Sequence, residues 1–339
     1  MFTAIFGSFE SGIIYAIMAL GVYLSFRILN FPDLTVDGSF VTGAAVAATL
    51  IYSGVNPVVA TVTSLLVGFL AGCATGALHT FGKINPLLSG ILMMIALYSI
   101  NLRIMGKSNM PLLNSDTLFT SVENTSSSLG IDSVLNSILS FIGLGDSLPS
   151  SWGLLVFMVI VTFFIKFLVD VFLKTELGLA IRATGDNQKM IRSLSANTNG
   201  LILLGLGISN ALVALSGALI AQYGGFADIG MGIGMIIVGL ASVIIGEALF
   251  GTKTLVRTTL AVIGGAIIYR IVVSLALRVD FLETGDVKII TATIVILSLI
   301  IPKIMDAYRE RKRKRLRLLE LQKVDIPVSG EGENNAAIK

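Results

Sequence analysis

The run "WGLLVFMVIVTFFIKFLVDVFL", residues 152–173, is long and apolar enough to cross a bilayer core, and it is one of several. A helix of that length spans roughly 30 Å, the thickness of the hydrocarbon layer. In lipid the backbone must satisfy its own polar groups, so each such run is expected to be a helix. Nine runs qualify, near 8–28, 38–54, 57–79, 85–106, 152–173, 199–223, 230–250, 256–278 and 286–305. Glycines in "GMGIGM", residues 230–235, offer a break into a half-helix and a helix, so the count is about nine, within eight to ten. Composition agrees: only 13% of the residues are charged, against about 25% in soluble domains. The expected fold class is all-α, a polytopic transmembrane helical bundle.

The opening "MFTAIFGSFESGIIYAIMALG" lacks a basic n-region and a small-residue cleavage site, and reads as a first span rather than a signal peptide. The tail "KIMDAYRERKRKRLRLLELQK" is strongly basic and is expected in the cytoplasm. Counting back from it puts Lys253, the 174–198 stretch and the turn with Lys83 on the cytoplasmic side. The N-terminus and segment 107–151 then fall outside. That segment carries Asp116, Glu123, Asp132 and Asp146 against Lys107. Within it, Ile131, Val134, Leu135, Ile138, Leu139 and Ile142 share one helical face, as in a helix lying on the outer membrane surface. Residues 1–305 thus form the membrane domain, and 306–339 a tail, basic and then of disordered composition. Its basic part is suited to anionic headgroups.

Several chemistries are excluded. "GEALFGTKT" and "GALHTFGKI" miss the spacing or the hydroxyl of a phosphate-binding loop, and neither follows a strand. One histidine, His79, and one cysteine, Cys73, are too few for a metal centre or a Cys/His catalytic pair. No metal, catalytic residue or cofactor is expected in this chain, and the small net charge of +3 gives no reason to invoke nucleic acid. Gly68, Gly72 and Gly76 make a flat ridge where another backbone can approach, either within the chain or at a subunit interface.

Between two apolar runs lies "TELGLAIRATGDNQKMIRSLSANTNG", residues 175–200. Leu177, Leu179 and Ile181 alternate with small and charged residues, and Asn187 suits an N-cap for "QKMIRSLSA". Two short helices parallel to the membrane are expected, either as a solvated loop or as a surface that seats in a partner's groove.

The stretch "SGIIYAIMALGVYLSFRILNFPDLTVDGSFVTGAA" resembles the opening of permease subunits of branched-chain amino-acid and ribose-type ABC importers. The pattern G-x-A-I-R-A-x-G-x-N at midchain resembles their coupling loop, and "GALIAQYGGF" and "GLASVIIGEALFG" follow in family order. The resemblance covers about residues 8–305. With "NFPDLTVDGSF" it is nearest a less-characterised branch associated with amino-acid, including tryptophan-type, uptake. Asp33 stands near where the amino-acid branch carries histidine. The resemblance implies that Gly178, Ala180, Ile181, Arg182, Ala183, Gly185, Asp186 and Asn187 couple to a separate ATPase. Further implied are ATP and Mg²⁺ used by that ATPase, a second permease copy, an extracytoplasmic substrate-binding protein and a bacterial cytoplasmic-membrane setting. Membrane lipids are expected partners of any such bundle.

Polar groups inside spans are pathway candidates. Asn30, Asp33 and Asp37 sit at the start of the second span, where acidic residues also cap helices. Asn85, Ser89 and Asn101 punctuate the fourth, Asn85 preceding Pro86 as a cap does. Arg103 is placed to snorkel. Ser209 and Asn210 lie in the sixth run and Arg270 deep in the eighth. Arg270 needs a partner, either Glu247 as an ion pair or a substrate carboxylate. The competing reading is a stand-alone ion-coupled secondary transporter, which has no need of the 174–198 element.

Overall fold

The computed structural model describes residues 2–113, 115–128 and 152–277, with scattered positions between 289 and 314. Residues 1–295 form one compact unit and 296–339 a second. In the second, Glu310 and Lys314 form an exposed ion pair one turn apart. The expected surface helix around residues 131–142, most of the ninth run and the end of the tail lie outside the described residues.

The chain runs α1 (Phe2–Tyr23), a π turn (Leu24–Ile28), α2 (Thr35–Tyr52), α3 (Pro57–Thr80), α4 (Pro86–Met105), β1 (Asn109–Pro111) and α5 (Leu118–Ser128). It resumes with α6 (Trp152–Lys174), α7 (Glu176–Ser193), α8 (Thr198–Gly224), β2 (Phe226–Asp228), α9 (Met235–Phe250) and α10 (Leu255–Ala276). Seven helices among the described residues are long and apolar enough to span a membrane, and α9 is a shorter apolar one. The first eight apolar runs thus each correspond to a helix. β1 pairs antiparallel with β2, Met110 opposite Ala227, and ties the C-terminal ends of α4 and α8 together. That ribbon marks one end of the bundle, and α7 lies at the other.

Helices α1, α2 and α8 form the centre: 78% of each apolar window is buried, against 22% for α4. The outer helices α3, α4 and α6 turn Leu66, Leu70, Ile95, Phe164 and Phe167 outward, an apolar belt suited to a lipid surround. Lipid gives helices no hydrophobic drive to associate, so the centre is held by close backbone approach and interhelical hydrogen bonds. A Cβ on Gly72 would run into Leu206 O, and one on Gly68 into Asn210 O, so the small-residue ridge of α3 faces α8 within the chain. Gly43 meets the Ala214 backbone and Gly217 that of Phe40, which lets α2 cross α8 at contact distance.

Candidate functional site

Helix α2 begins inside the bundle. After the π turn the chain passes through Leu29–Leu34 without helical structure. Such backbone is tolerated at membrane depth only where protein or water surrounds it. Here protein does: Leu29 and Phe31 are buried in an apolar cluster with Ile181, Ile202 and Leu206, and Phe31 packs edge-on to His79. The next turn carries Asp33, fully buried. A buried carboxylate needs donors, and two are present. The Thr35 N–H donates to Asp33 Oδ1 at 2.9 Å, and Asn210 Nδ2 donates to Asp33 Oδ2 at 2.7 Å. Asn210 also donates to Leu206 O, 3.0 Å away. Beside them the hydroxyls of Thr35 and Thr75 are 2.8 Å apart, and the Ser209 hydroxyl donates to Gly21 O at 2.7 Å.

One turn on, Asp37 performs a different task. It stands in the first turn of α2, as its sequence position suggests, but its carboxylate caps α9. The Gly234 N–H donates to Oδ2 at 2.9 Å and the Ile236 N–H to Oδ1 at 2.8 Å. The chain before α9 folds back into the bundle, and Gly232 lies so close to the Asp37 backbone that a Cβ there would strike its carbonyl. Two helices therefore start side by side within the bundle, with positive dipole ends converging on Asp37. Beside them lies a cleft of about 420 Å³, lined by Asp37, Gly38 and Asn101 with apolar walls from Val41, Met94 and Tyr98. Asn101 is fully buried and donates through Nδ2 to Gly38 O at 3.2 Å. Asn101 Oδ1 and Asn210 Oδ1 have no hydrogen-bond donor among the described residues.

The other candidates lie apart from this group. Asn85 caps α4, accepting from the Leu87 N–H at 3.0 Å, and Ser89 bonds back to Asn85 O. Asn30 and Arg103 are exposed. The pairing of Glu247 with Arg270 is corrected by the structure. Glu247 accepts from both Nε and Nη2 of Arg27, in the π turn that follows α1. Arg270 donates to the Ser11 hydroxyl at 3.3 Å and lies over the Tyr15 ring, 4.4 Å from its centroid. Ser11 and Arg27 are roughly 24 Å apart along the helix axis, so the two charges occupy opposite halves of the bundle. Sequence reasoning passed over Arg27, Glu10, which accepts from Tyr223 at 3.0 Å, and the buried Lys166–Asp170 pair, where Thr259 donates to Asp170 at 2.7 Å. The last was legible: opposite charges four residues apart in an apolar run make an internal pair.

Helix α7 divides the midchain stretch into two faces. Gly178, Ile181 and Thr184 are buried, whereas Leu179, Arg182 and Asp186 are exposed, with Ala180 and Ala183 between. A Cβ on Gly185 would strike Ile28 O and the Leu29 backbone, so its small size serves contact with the linker. Asn187 leaves helical geometry at φ −151°, ψ 88° and caps the second segment, accepting from the Met190 N–H at 3.0 Å. Ile181 touches the same Leu29–Phe31 linker that leads to Asp33.

A multi-spanning bundle with two helices beginning at its interior, a polar cluster at their meeting point and an amphipathic helix on one end is the architecture of a membrane transport subunit. The chain belongs to the family described as the permease component of branched-chain amino acid transport systems, whose model matches residues 4–300. It is an ABC transporter permease, a multi-pass protein of the bacterial cytoplasmic membrane. A tyrosine transport system permease protein of Clostridioides difficile (strain R20291) is 43% identical over 284 residues, covering 84% of this chain and 86% of the relative. An uncharacterized protein of Rickettsia prowazekii (strain Madrid E) is 33% identical over 86% of this chain and 94% of its own. A fructose import permease of Bifidobacterium longum (strain NCC 2705) is 27% identical, over 60% of this chain and 51% of its own. No solved structure matches.

Proposed function

We propose that this chain forms the substrate pathway of an ATP-driven amino-acid importer, with tyrosine or a related amino acid as the solute. ATP and Mg²⁺ are used by separate ATPase chains that seat on the exposed face of α7. A second permease copy completes the core, and an extracytoplasmic binding protein delivers the solute. In this reading the N-terminus and the β-ribbon end face outside, and α7 and the basic tail face the cytoplasm, as the placement of Lys and Arg favours.

The observation that carries the reading is the continuity from α7 to the buried site. Ile181 and Gly185 bear on Leu29–Phe31, and two residues later the same linker carries Asp33, bonded to Asn210. Movement of α7 by a partner is transmitted as a shift of the linker and of the start of α2, a rigid-body change of the kind such bundles make. At the site, the Asp37 carboxylate and the free oxygen of Asn101 supply acceptors, which suits an ammonium group, while Met94, Val41 and Tyr98 suit an apolar or aromatic side chain. The relative named for tyrosine transport supports this choice of solute. The test is purification of the tagged chain from its own cells followed by reconstitution. An ATPase is expected to co-purify, and uptake of labelled tyrosine into vesicles is expected to require ATP on the α7 side. Uptake driven by an ion gradient with no ATP would overturn the proposal.

A further inference from the structure

Away from the pathway, a cleft of about 720 Å³ lies at the α7 end, between the α3–α4 turn, the second segment of α7 and the start of α8. Lys83, Lys189 and Arg192 line it with His79, Thr80 and Asn199, and no acidic residue is among its walls. Neither lysine has an acidic partner within ion-pair range among the described residues. Arg192 makes only long contacts, 3.4 Å each, to Thr198 and Asn199. Three cations gathered without counter-charge repel one another, and the positive end of α8 adds to that field. Lys83 also adopts φ 54°, a left-handed conformation that favours glycine.

From this geometry we infer that the cleft binds the phosphate of an anionic phospholipid headgroup. Depth selects lipid over a soluble anion. Thr80 is the last residue of α3 and Thr198 the first of α8, so the cleft sits where two spans leave the hydrocarbon. Phe81 and Leu194, beside its two rims, are 70% and 69% exposed, a ring and a branched chain that an acyl layer accommodates. The Arg192 fork reads two phosphate oxygens at once, and the lysines act as point charges on the others. A bound headgroup pins the second segment of α7 to the leaflet. The first segment, beyond the break at Asn187, stays free to move.

The full chain in detergent, titrated with dioctanoyl-phosphatidylglycerol and followed by its melting temperature, tests this. Dioctanoyl-phosphatidylcholine and inorganic phosphate form the comparison arms. The expected result is stabilisation by phosphatidylglycerol alone, with affinity at least about tenfold weaker when Lys83, Lys189 and Arg192 are all replaced by Gln. The basic tail is the same in every variant, so it contributes equally to each. Should the triple variant not yield folded protein, Lys189→Gln alone and the Lys83→Arg/Lys189→Arg pair decide: the first is to weaken binding and the second to keep it. An equal response to phosphatidylcholine, the same stabilisation from inorganic phosphate, or unchanged affinity in the Gln variants would overturn the assignment.

Discussion

Asp33 is a carboxyl group held among helices, where the loss of a donor cannot be made good by water. Thr35 fixes one oxygen and Asn210 the other, so the carboxylate joins the start of α2 to the middle of α8. Hydrogen bonds to a charged group contribute roughly 2 kcal/mol each, and stranding a buried amide costs about as much again. Asp33→Ala is therefore expected to lower the melting temperature of the purified chain markedly and to abolish uptake. Asp33→Asn preserves the volume and one acceptor and should fall between the two. A melting temperature for Asp33→Ala equal to that of the unaltered chain would remove Asp33 from the framework. Arg270 differs in kind. Its charge rests against the Tyr15 ring and the Ser11 hydroxyl, a contact that positions α10 on α1.

Among elements, α9 shows how the bundle tolerates a helix that starts in its interior. Sixteen residues give roughly 24 Å, short of the hydrocarbon thickness, so its first N–H groups face protein rather than water. Asp37 satisfies two of them. In Asp37→Ala those donors lose their partner, and the first turn is expected to fray. The alkylation rate of a cysteine placed at Ile236, which is buried in that turn, should rise about tenfold, from a local destabilisation of more than about 1 kcal/mol. An unchanged rate would mean that other contacts hold the turn. The glycines of residues 230–235 made a break in this run legible from sequence, as hydropathy made the spans legible. The provider of the cap was not legible. Asp37 and Gly234 lie nearly two hundred residues apart, and the pattern of one span carries no information about which neighbour it meets. The same limit hid the Arg27–Glu247 contact. The glycine ridge of α3 could be found by spacing, yet only packing identified α8 as what fills it.

For the whole molecule, the proposed function requires that force applied at one end reach a site inside. Helix α7 presents Leu179, Arg182 and Asp186 outward and rests through Ile181 and Gly185 on the linker to α2. These two faces make separate predictions. Arg182→Glu reverses a charge on the outward face and leaves the inner contacts untouched, so it should release the ATPase from the purified complex. Gly185→Val leaves the outward face intact, but its branched side chain would collide with Ile28 O and the Leu29 backbone and lift α7 from the linker. That variant should retain its ATPase and continue to hydrolyse ATP, while uptake per ATP consumed falls at least about tenfold, the signature of a severed connection between two bistable elements. If Gly185→Val instead moved solute with unaltered yield per ATP, the linker would not be the route, and the link between α7 and the Asp33–Asn210 site would have to pass through α8 alone.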